Sequence, residues 1–217
     1  MEKATPQTPK QKWDNYWYYY KVHTIIVCFV VAVLGISIYQ MATRVNPDYR
    51  VILCTADYAG IDTERLGKVM SLLVRDLNGD GASVVEVQDC SFDEQTMDQN
   101  AVNAHRTVVL AEIQMDGVFL FICDREKSDW LNYGELFEIL GQNPRDTSIE
   151  NVGWCWKGSG FKAEHFPDAP DELYFCLRRL EGTTFEGKQK AIDRQGHDRE
   201  LLDSIMNNTM ISAEEPS

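Results

Sequence analysis

The sequence predicts an α/β protein: a single-lobe, mainly parallel sheet flanked by helices, preceded by one transmembrane helix. The first observation behind this prediction is that residues 22–43 carry no formal charge. At ~1.5 Å per residue they span about 33 Å, enough for the ~30 Å hydrocarbon core of a bilayer. The second is that short apolar runs alternate with amphipathic helical patterns over residues 49–140. That alternation is typical of parallel strands with helices on the faces of the sheet.

The flanks of the apolar stretch support a membrane anchor. Trp13 and the five aromatic residues at 16–20 precede its core, and Tyr39 lies near its other end. Such amphipathic rings favour the headgroup level of a bilayer. Four lysines precede the stretch and only two arginines follow closely, which predicts a cytoplasmic N-terminus. Gln40 occupies the small-residue position of a signal-peptidase site, so we expect an uncleaved anchor.

Composition divides the chain into five predicted segments. Residues 1–21 are a cytoplasmic segment, 22–43 the membrane helix, 44–48 a linker, 49–210 an extracytoplasmic α/β domain and 211–217 a disordered tail. We therefore place the protein in the cell membrane, single-pass, with the C-terminal domain outside. In that domain we predict strands at 49–55, 83–88, 118–123 and 173–180, helices from an N-cap at Asp62 to Leu77 and at 94–114, 133–140 and 188–206, and a loop at 143–170.

Charge bounds the partners of the outer domain. The first 44 residues hold five of the 21 basic and two of the 34 acidic side chains, which leaves 16 and 32 for the remainder, a net charge of −16. We expect such a surface to repel nucleic acid and anionic lipid headgroups and to attract cations or basic partners. Five cysteines at irregular spacing lie beyond the anchor. That number is a poor disulfide framework, although one pairing among them stays open.

One loop has the spacing of a calcium site. Asp76, Asn78, Asp80 and Gly81 match the first, third, fifth and sixth positions of a calcium-binding loop, where oxygen ligands alternate and glycine permits a sharp turn. The twelfth position, which should supply a bidentate acid, is Val87. We expect a helix-ending turn, with a weakly bound calcium ion as the alternative. No other cofactor is predicted.

Catalytic signatures are missing from the sequence. None of the four histidines has a metal-binding partner three or four residues away, and there is neither a nucleophile elbow nor a phosphate loop. Asp57, Asp89 and Asp124 each follow a predicted strand closely, so the carboxyl edge of the sheet should be acidic.

An aromatic group lies in the predicted loop. It consists of Trp154, Trp156, Phe161 and Phe166. Exposed rings of this kind can serve as a ligand platform, but more often they pin a loop onto the core. We expect pinning here.

Three segments resemble known proteins. WDNYWYYYKVHT, TRVNPDYRVILCT and DLNGDGASVVEV are similar to segments of uncharacterised membrane-anchored extracytoplasmic proteins of Gram-positive anaerobic bacteria. Residues 49–124, with AEI at 111–113, Gly117 and VFL at 118–120, also resemble the first lobe of type II extracellular solute-binding proteins. The resemblance implies a lobe-like α/β fold. Residues 45–217 number 173, which is too few for two such lobes, so no ligand-binding residues carry over.

Two functional hypotheses follow. The favoured one is a non-enzymatic, membrane-anchored binding or interaction module for a protein or small molecule of unidentified class. The alternative is a surface hydrolase or transferase whose site lies at the carboxyl ends of the strands. A deep cleft holding a perturbed carboxylate pair would favour the enzyme.

Overall fold

A computed structural model describes residues 8–43, 46–56, 60–115 and 117–209. The chain separates into two compact units at the junction between Val45 and Asn46. Three of the predicted features lie outside the described residues: Asp57, the linker residues 44 and 45, and the tail at 211–217.

The N-terminal unit is one helix, α1 (Pro9–Thr43). Within it, Tyr16–Gln40 is long and apolar enough to cross a membrane, judged by length and composition, and its most apolar window is unburied. A signal sequence near an N-terminus meets the same criteria of length and apolar composition. Aromatic rings stack along the first turns, with Trp13 against Trp17 at 6.2 Å and Tyr16 against Tyr20 at 5.4 Å between ring centroids.

The second unit is built on a five-stranded sheet in the order β2-β1-β3-β5-β4. Its strands are short and separated by helices along the chain. Their bounds are β1 (Tyr49–Cys54), β2 (Val85–Asp89), β3 (Leu120–Cys123), β4 (Gly153–Cys155) and β5 (Tyr174–Leu177).

The sheet is mixed, so the prediction of a mainly parallel sheet is wrong. The first three strands in chain order are parallel, with β1 pairing both β2 and β3. β5 runs antiparallel to β3, and β4 antiparallel to β5. The sequence did not reveal the antiparallel strands because β4 has only three residues, too few to show a periodicity. In addition, an all-apolar strand such as β5 looks the same whichever way it runs.

Helices cover both faces of the sheet. Side chains of β1 alternate between two hydrophobic cores, Val51 and Leu53 in one and Ile52 and Cys54 in the other. The first core is closed by α2 (Thr63–Ser71), α6 (Gly160–His165) and α7 (Gln189–Asn207), and the second by α3 (Gln99–Gln114), α4 (Arg125–Leu131) and α5 (Ile149–Val152).

The central position of β3 was expected from its composition. Every residue of the strand is buried and none is more than 1% exposed. An all-apolar strand needs cover on both faces, and β3 lies between β1 and β5 with a core on either side. The prediction of a buried third strand is confirmed.

Several predicted helix bounds are wrong. Asp62 does cap α2, accepting a hydrogen bond from the Arg65 amide at 3.0 Å, but the helix ends at Ser71 and not near Leu77. The Ser71 hydroxyl donates to the Gly67 carbonyl and accepts from the Val85 amide at 2.8 Å, which leads the chain towards β2. α3 begins at Gln99, five residues later than expected, because Asp98 is its N-cap.

The predicted helix at 133–140 is also wrong. The helix that follows β3 is α4, which lies before the predicted region, ends at Leu131 and begins directly after the strand with Asp124 as its N-cap. A 3₁₀ turn (Asn132–Gly134) follows and ends at Glu135, whose φ of 53° is left-handed and incompatible with a continuing helix. Beyond it, Phe137 forms an isolated antiparallel bridge with Arg178.

The aromatic residues of the predicted loop pin it to the core, as expected. Trp156 and Phe161 are fully buried, Phe166 is 6% exposed, and all three belong to the first core. Trp154 packs against that core from its edge. These contacts hold β4 and α6 in a stretch that the sequence alone presented as loop.

The cysteines are free thiols. Cys54 and Cys123 are buried in their strands, as their apolar surroundings predicted. The sulfurs of Cys123 and Cys176 lie 3.7 Å apart across β3 and β5, so they are in contact but unbonded.

Candidate ligand-binding pocket

A pocket of about 430 Å³ lies beside α7, at the amino-terminal edge of β1 and β3. This volume falls within the range of about 300–1,000 Å³ that small-molecule sites occupy. It is lined by Asn46, Pro47, Arg50, Leu77, Gly117, Lys190, Asp193, Arg194 and His197. None of these residues was predicted as a site residue, because they come from four separate parts of the chain.

Helical spacing places four of the lining side chains on one stripe of α7. Lys190, Asp193, Arg194 and His197 recur at intervals of three or four residues, and such residues are neighbours on a helix surface. The opposite side comes from the start of β1 and the residues before β3. In the sequence the stripe resembles an ordinary solvated helix face, and only its position against the sheet edge makes it part of a pocket.

The pocket carries more positive than negative side chains, in a domain that is strongly acidic. Three basic residues and one carboxylate line it. Arg50 is paired through its Nε with Glu86 at 3.1 Å, its partner in the β1–β2 register. The Asp193 carboxylate accepts a hydrogen bond from Gln189 Nε2 at 2.7 Å.

Among the described residues, no carboxylate lies within ion-pair distance of the Arg194 guanidinium, although its charge acts on the nearby Asp198. Its guanidinium is half-buried, and its buried Nε has no hydrogen-bond acceptor. No ion pair among the described residues includes it. His197, one turn later, is also half-buried; burial lowers the pKa of its imidazole, and the nearby Arg75 and Arg194 lower it further, against the opposing effects of Glu200 and Asp193.

A buried carboxylate joins α7 to the sheet next to this pocket. Asp198 is fully buried, and its Oδ2 accepts a hydrogen bond from the Phe119 amide at 3.1 Å. Its Oδ1 has no partner in the described part of the chain. Burial raises the pKa of Asp198 to about 7, against the opposing effects of Arg194 and of backbone hydrogen bonds. The carboxylate therefore titrates near neutral pH.

One wall of the pocket is set by Asp48, which the sequence placed in the linker. Its buried carboxylate accepts hydrogen bonds from the amides of Leu77 and Asn78 at 3.0 Å through Oδ1, and from the Val84 amide at 2.9 Å through Oδ2. Because Leu77 lines the pocket, Asp48 fixes that wall relative to β1. Asn-Pro-Asp is also an ordinary turn sequence, so nothing local distinguishes this role.

The predicted calcium ligands surround one turn, where their oxygens accept backbone hydrogen bonds. Asp76 accepts from the amides of Asn78 and Gly79 through Oδ1 and from that of Gly81 through Oδ2, at 2.7–3.0 Å. These bonds, the one from Gly81 foremost, lower the pKa of Asp76. The Asn78 side chain accepts from the Asp80 amide at 2.8 Å and donates to the Asn46 carbonyl at 3.0 Å. Asp80 accepts from the Ala82 amide at 3.0 Å.

This geometry is that of a tight turn with left-handed glycines. Gly79 and Gly81 have φ values of 74° and 89°. Over the residues that the structure describes, no group of three or more His, Cys, Asp or Glu side chains is arranged to hold a metal ion. Calcium binding at Asp76, Asn78 and Asp80 stays a prediction to be tested.

The carboxylates at the other edge of the sheet have structural roles. Asp124 accepts from the Lys127 amide at 2.8 Å as the cap of α4, and from the Ala56 amide at 2.5 Å. Asp89 accepts from the Ser91 amide at 2.9 Å. Both thus organise the backbone at the ends of β1, β2 and β3. The pocket lies at the opposite, amino-terminal edge.

Comparison of this chain with protein-family models, with curated proteins and with solved structures finds no match. The function must therefore be argued from the geometry of the pocket and from the placement of the apolar helix.

Proposed function

We propose that this protein is a single-pass, membrane-anchored extracytoplasmic binding module, and that the pocket beside α7 is its ligand site. One observation carries the proposal: a pocket of small-molecule size lies in the domain that directly follows an apolar helix. Its first lining residue, Asn46, comes three residues after the last residue of α1. A ligand bound there would be held by a domain that is tethered to the membrane.

The lining supports binding over catalysis. Among the described lining residues there is one carboxylate, one imidazole and no thiol or hydroxyl nucleophile. The alternative of a hydrolase or transferase needs a reactive pair at the carboxyl ends of the strands. There Asp89 and Asp124 accept hydrogen bonds from backbone amides, which gives each a structural reason to be present.

The orientation of the anchor rests on charge. Four lysines precede the apolar stretch, and the acidic domain follows it. We expect protease added to intact cells to digest the domain at 46–209 while a tag placed before Met1 stays protected. Protection of a C-terminal tag together with digestion of the N-terminal one would overturn the orientation.

The pocket can be tested by filling it. A Cβ added to Gly117 meets no heavy atom within 4 Å, so Gly117→Leu adds bulk at the pocket without a clash. Gly134→Leu is the matched control, since its Cβ is equally unobstructed and it lies outside this pocket. The full chain in nonionic detergent is screened by thermal shift against inorganic phosphate, sulfate, succinate, spermidine and glucose.

The screen has two decisive outcomes. A ligand that stabilises the wild type and Gly134→Leu but not Gly117→Leu supports the pocket as the binding site. Ligands that stabilise all three proteins equally, or none of them, count against it.

A further inference from the structure

We infer that the pocket beside α7 binds an oxyanion, the carboxylate or phosphate group of a ligand, with the Arg194 guanidinium as its central contact and Arg50 and His197 at its sides. The inference rests on the proposed function, because it names the chemical class that the pocket would take.

Arg194 carries the inference. A guanidinium stays charged at any physiological pH and presents a planar fork of donors that matches carboxylate and phosphate oxygens. Here the fork is half-buried, its Nε is fully buried, and no acceptor in the described residues reaches that nitrogen. This Nε is closed to solvent, as are the unpaired Nε atoms of Arg75, Arg106 and Arg178, so a ligand would bind the terminal nitrogens of the fork. Arg194 forms no ion pair with another described residue, so an anion in the pocket would neutralise its charge.

The surroundings make this lack of a partner informative. The domain carries twice as many acidic as basic side chains, and other arginines of the same region are paired, Arg75 with Glu200 at 3.1 Å and Arg50 with Glu86. Asp198, one turn beyond Arg194 on α7, turns its Oδ2 to the Phe119 amide. The Arg194 charge lowers the pKa of the nearby Asp198, but the two side chains form no ion pair, and Arg194 lines a cavity large enough for a small molecule.

Neighbouring groups add to the same preference. Arg50 forms its ion pair with Glu86 through Nε and also lines the pocket, so it adds positive charge beside Arg194. A neutral imidazole at His197 offers one N–H donor, and a protonated one offers two. Asp193 is the one carboxylate in the lining, and it can accept from a hydroxyl or ammonium group carried by the same ligand.

A soluble metabolite and an anionic lipid headgroup present the same oxyanion. In the proposed topology the domain is tethered to the membrane, so both sources are available to it. The chemistry of recognition is common to the two, and the experiment separates them.

The experiment uses the full chain. In nonionic detergent, its melting temperature is followed against sulfate, inorganic phosphate and succinate, with sodium chloride at equal ionic strength as the salt control. Four proteins are compared: wild type, Arg194→Gln, Arg194→Lys and Arg145→Gln. Arg145 is exposed and outside the pocket, so Arg145→Gln removes the same charge without touching the site. The series is repeated in nanodiscs of phosphatidylcholine with and without phosphatidylglycerol.

We expect the oxyanions to raise the melting temperature of the wild type and of Arg145→Gln. The apparent affinity should fall at least tenfold in Arg194→Gln and by less in Arg194→Lys, which keeps the charge but loses the planar fork. Stabilisation seen only in discs that contain phosphatidylglycerol, and lost in Arg194→Gln, would assign the oxyanion to a lipid headgroup.

Equal stabilisation of wild type and both Arg194 variants would overturn the inference, as would no response to any oxyanion in either medium. Arg194→Lys keeps the test decisive if the glutamine variant does not fold. Failure of the oxyanion inference is distinct from failure of the proposed function. If spermidine or glucose stabilises the wild type but not Gly117→Leu, the pocket is a ligand site of a different class.

Discussion

The substitution Asp198→Asn should make the stability of the outer domain depend less on pH. Asp198 is fully buried on α7, and its Oδ2 accepts a hydrogen bond from the Phe119 amide at 3.1 Å. Asparagine keeps an oxygen acceptor of the same shape and removes the titrating group. The perturbation is therefore electrostatic and leaves the packing of α7 against β3 in place.

The magnitude follows from the two pKa values of Asp198. Burial raises its pKa from 3.8 to about 7, so the folded domain binds this proton more tightly than the unfolded chain does. Below pH 4 the carboxyl is protonated in both states, and the folded domain carries no cost for a buried charge. As pH rises from about 4 to 7 this advantage is lost, and above pH 7 the folded domain bears the full cost of the buried carboxylate. At ~1.4 kcal/mol per pH unit, that cost is roughly 4 kcal/mol.

Asparagine has its own cost, which does not vary with pH. Its amide N–H groups occupy the position of Oδ1, which has no partner among the described residues, and burying them unpaired costs about 1–3 kcal/mol. We therefore expect Asp198→Asn to be more stable than wild type at pH 8 by about 1–3 kcal/mol. Its advantage should shrink by roughly 4 kcal/mol between pH 8 and pH 4, which reverses the sign of the difference.

The assay is urea unfolding of the full chain in nonionic detergent, followed by near-ultraviolet circular dichroism at pH 4, 6 and 8. Asp203→Asn is the control, because Asp203 is exposed on the same helix. Its difference from wild type should stay within about 0.5 kcal/mol, as is usual for surface substitutions. Parallel pH profiles for wild type and Asp198→Asn would refute the reasoning.

Three further outcomes are expected. Gly81→Val should lower the free energy of unfolding by about 1–3 kcal/mol, because φ is 89° at this position, and calcium should leave the melting temperature of the wild type unchanged. Gly67→Ala should destabilise, since its Cβ would lie 2.5 Å from the Val85 carbonyl oxygen, whereas Gly196→Ala meets nothing within 4 Å and should stabilise by about 0.5–1 kcal/mol. Sulfate binding should tighten as pH falls below about 6.5, because burial holds the pKa of His197 below its usual value and protonation there adds a positive charge beside the anion.

Each of these outcomes has a control measured by the same methods. For the turn, Gly134→Val tests valine at a glycine without positive φ, and a calcium-dependent rise in melting temperature that vanishes in Asp80→Ala would show that the loop binds the ion. The melting temperature should fall in Gly67→Ala and rise in Gly196→Ala. A shift in the same direction for both variants would contradict the packing of α2 on β2. His197→Asn should flatten the pH dependence of sulfate binding; an unchanged slope would assign it to another group.

Local patterns predicted much of the fold because the forces behind them are local. Asp62 caps α2 as expected, since an aspartate before an amphipathic run can reach the free amides of the first turn. β3 is central because an apolar strand must be covered on both faces. The chain's local signals were weakest between 143 and 170, where β4 and α6 are too short to show a period.

The pocket could not be predicted in the same way. Arg194 and His197 look like a solvated face of α7, and Asp48 looks like part of a turn. The calcium-like loop was the site that the sequence did predict, but the Asp76 carboxylate in it accepts hydrogen bonds from backbone amides of the same loop. A motif records which oxygens are near one another in sequence, whereas their use depends on the donors that the folded chain brings to them.

The sequence by itself determined the apolar N-terminal helix, the α/β class, the buried third strand and the acidic character of the domain. Each depends on composition or on a repeat within a few residues, where chain connectivity already sets the geometry. Only the tertiary structure decided the mixed direction of the sheet and the meeting of β1, the segment before β3 and α7 around one pocket. Strand direction depends on pairing between residues distant in the chain, such as Leu120 with Leu177, and the pocket brings together Arg50 and Arg194, which are more than 100 positions apart; no local interaction encodes either.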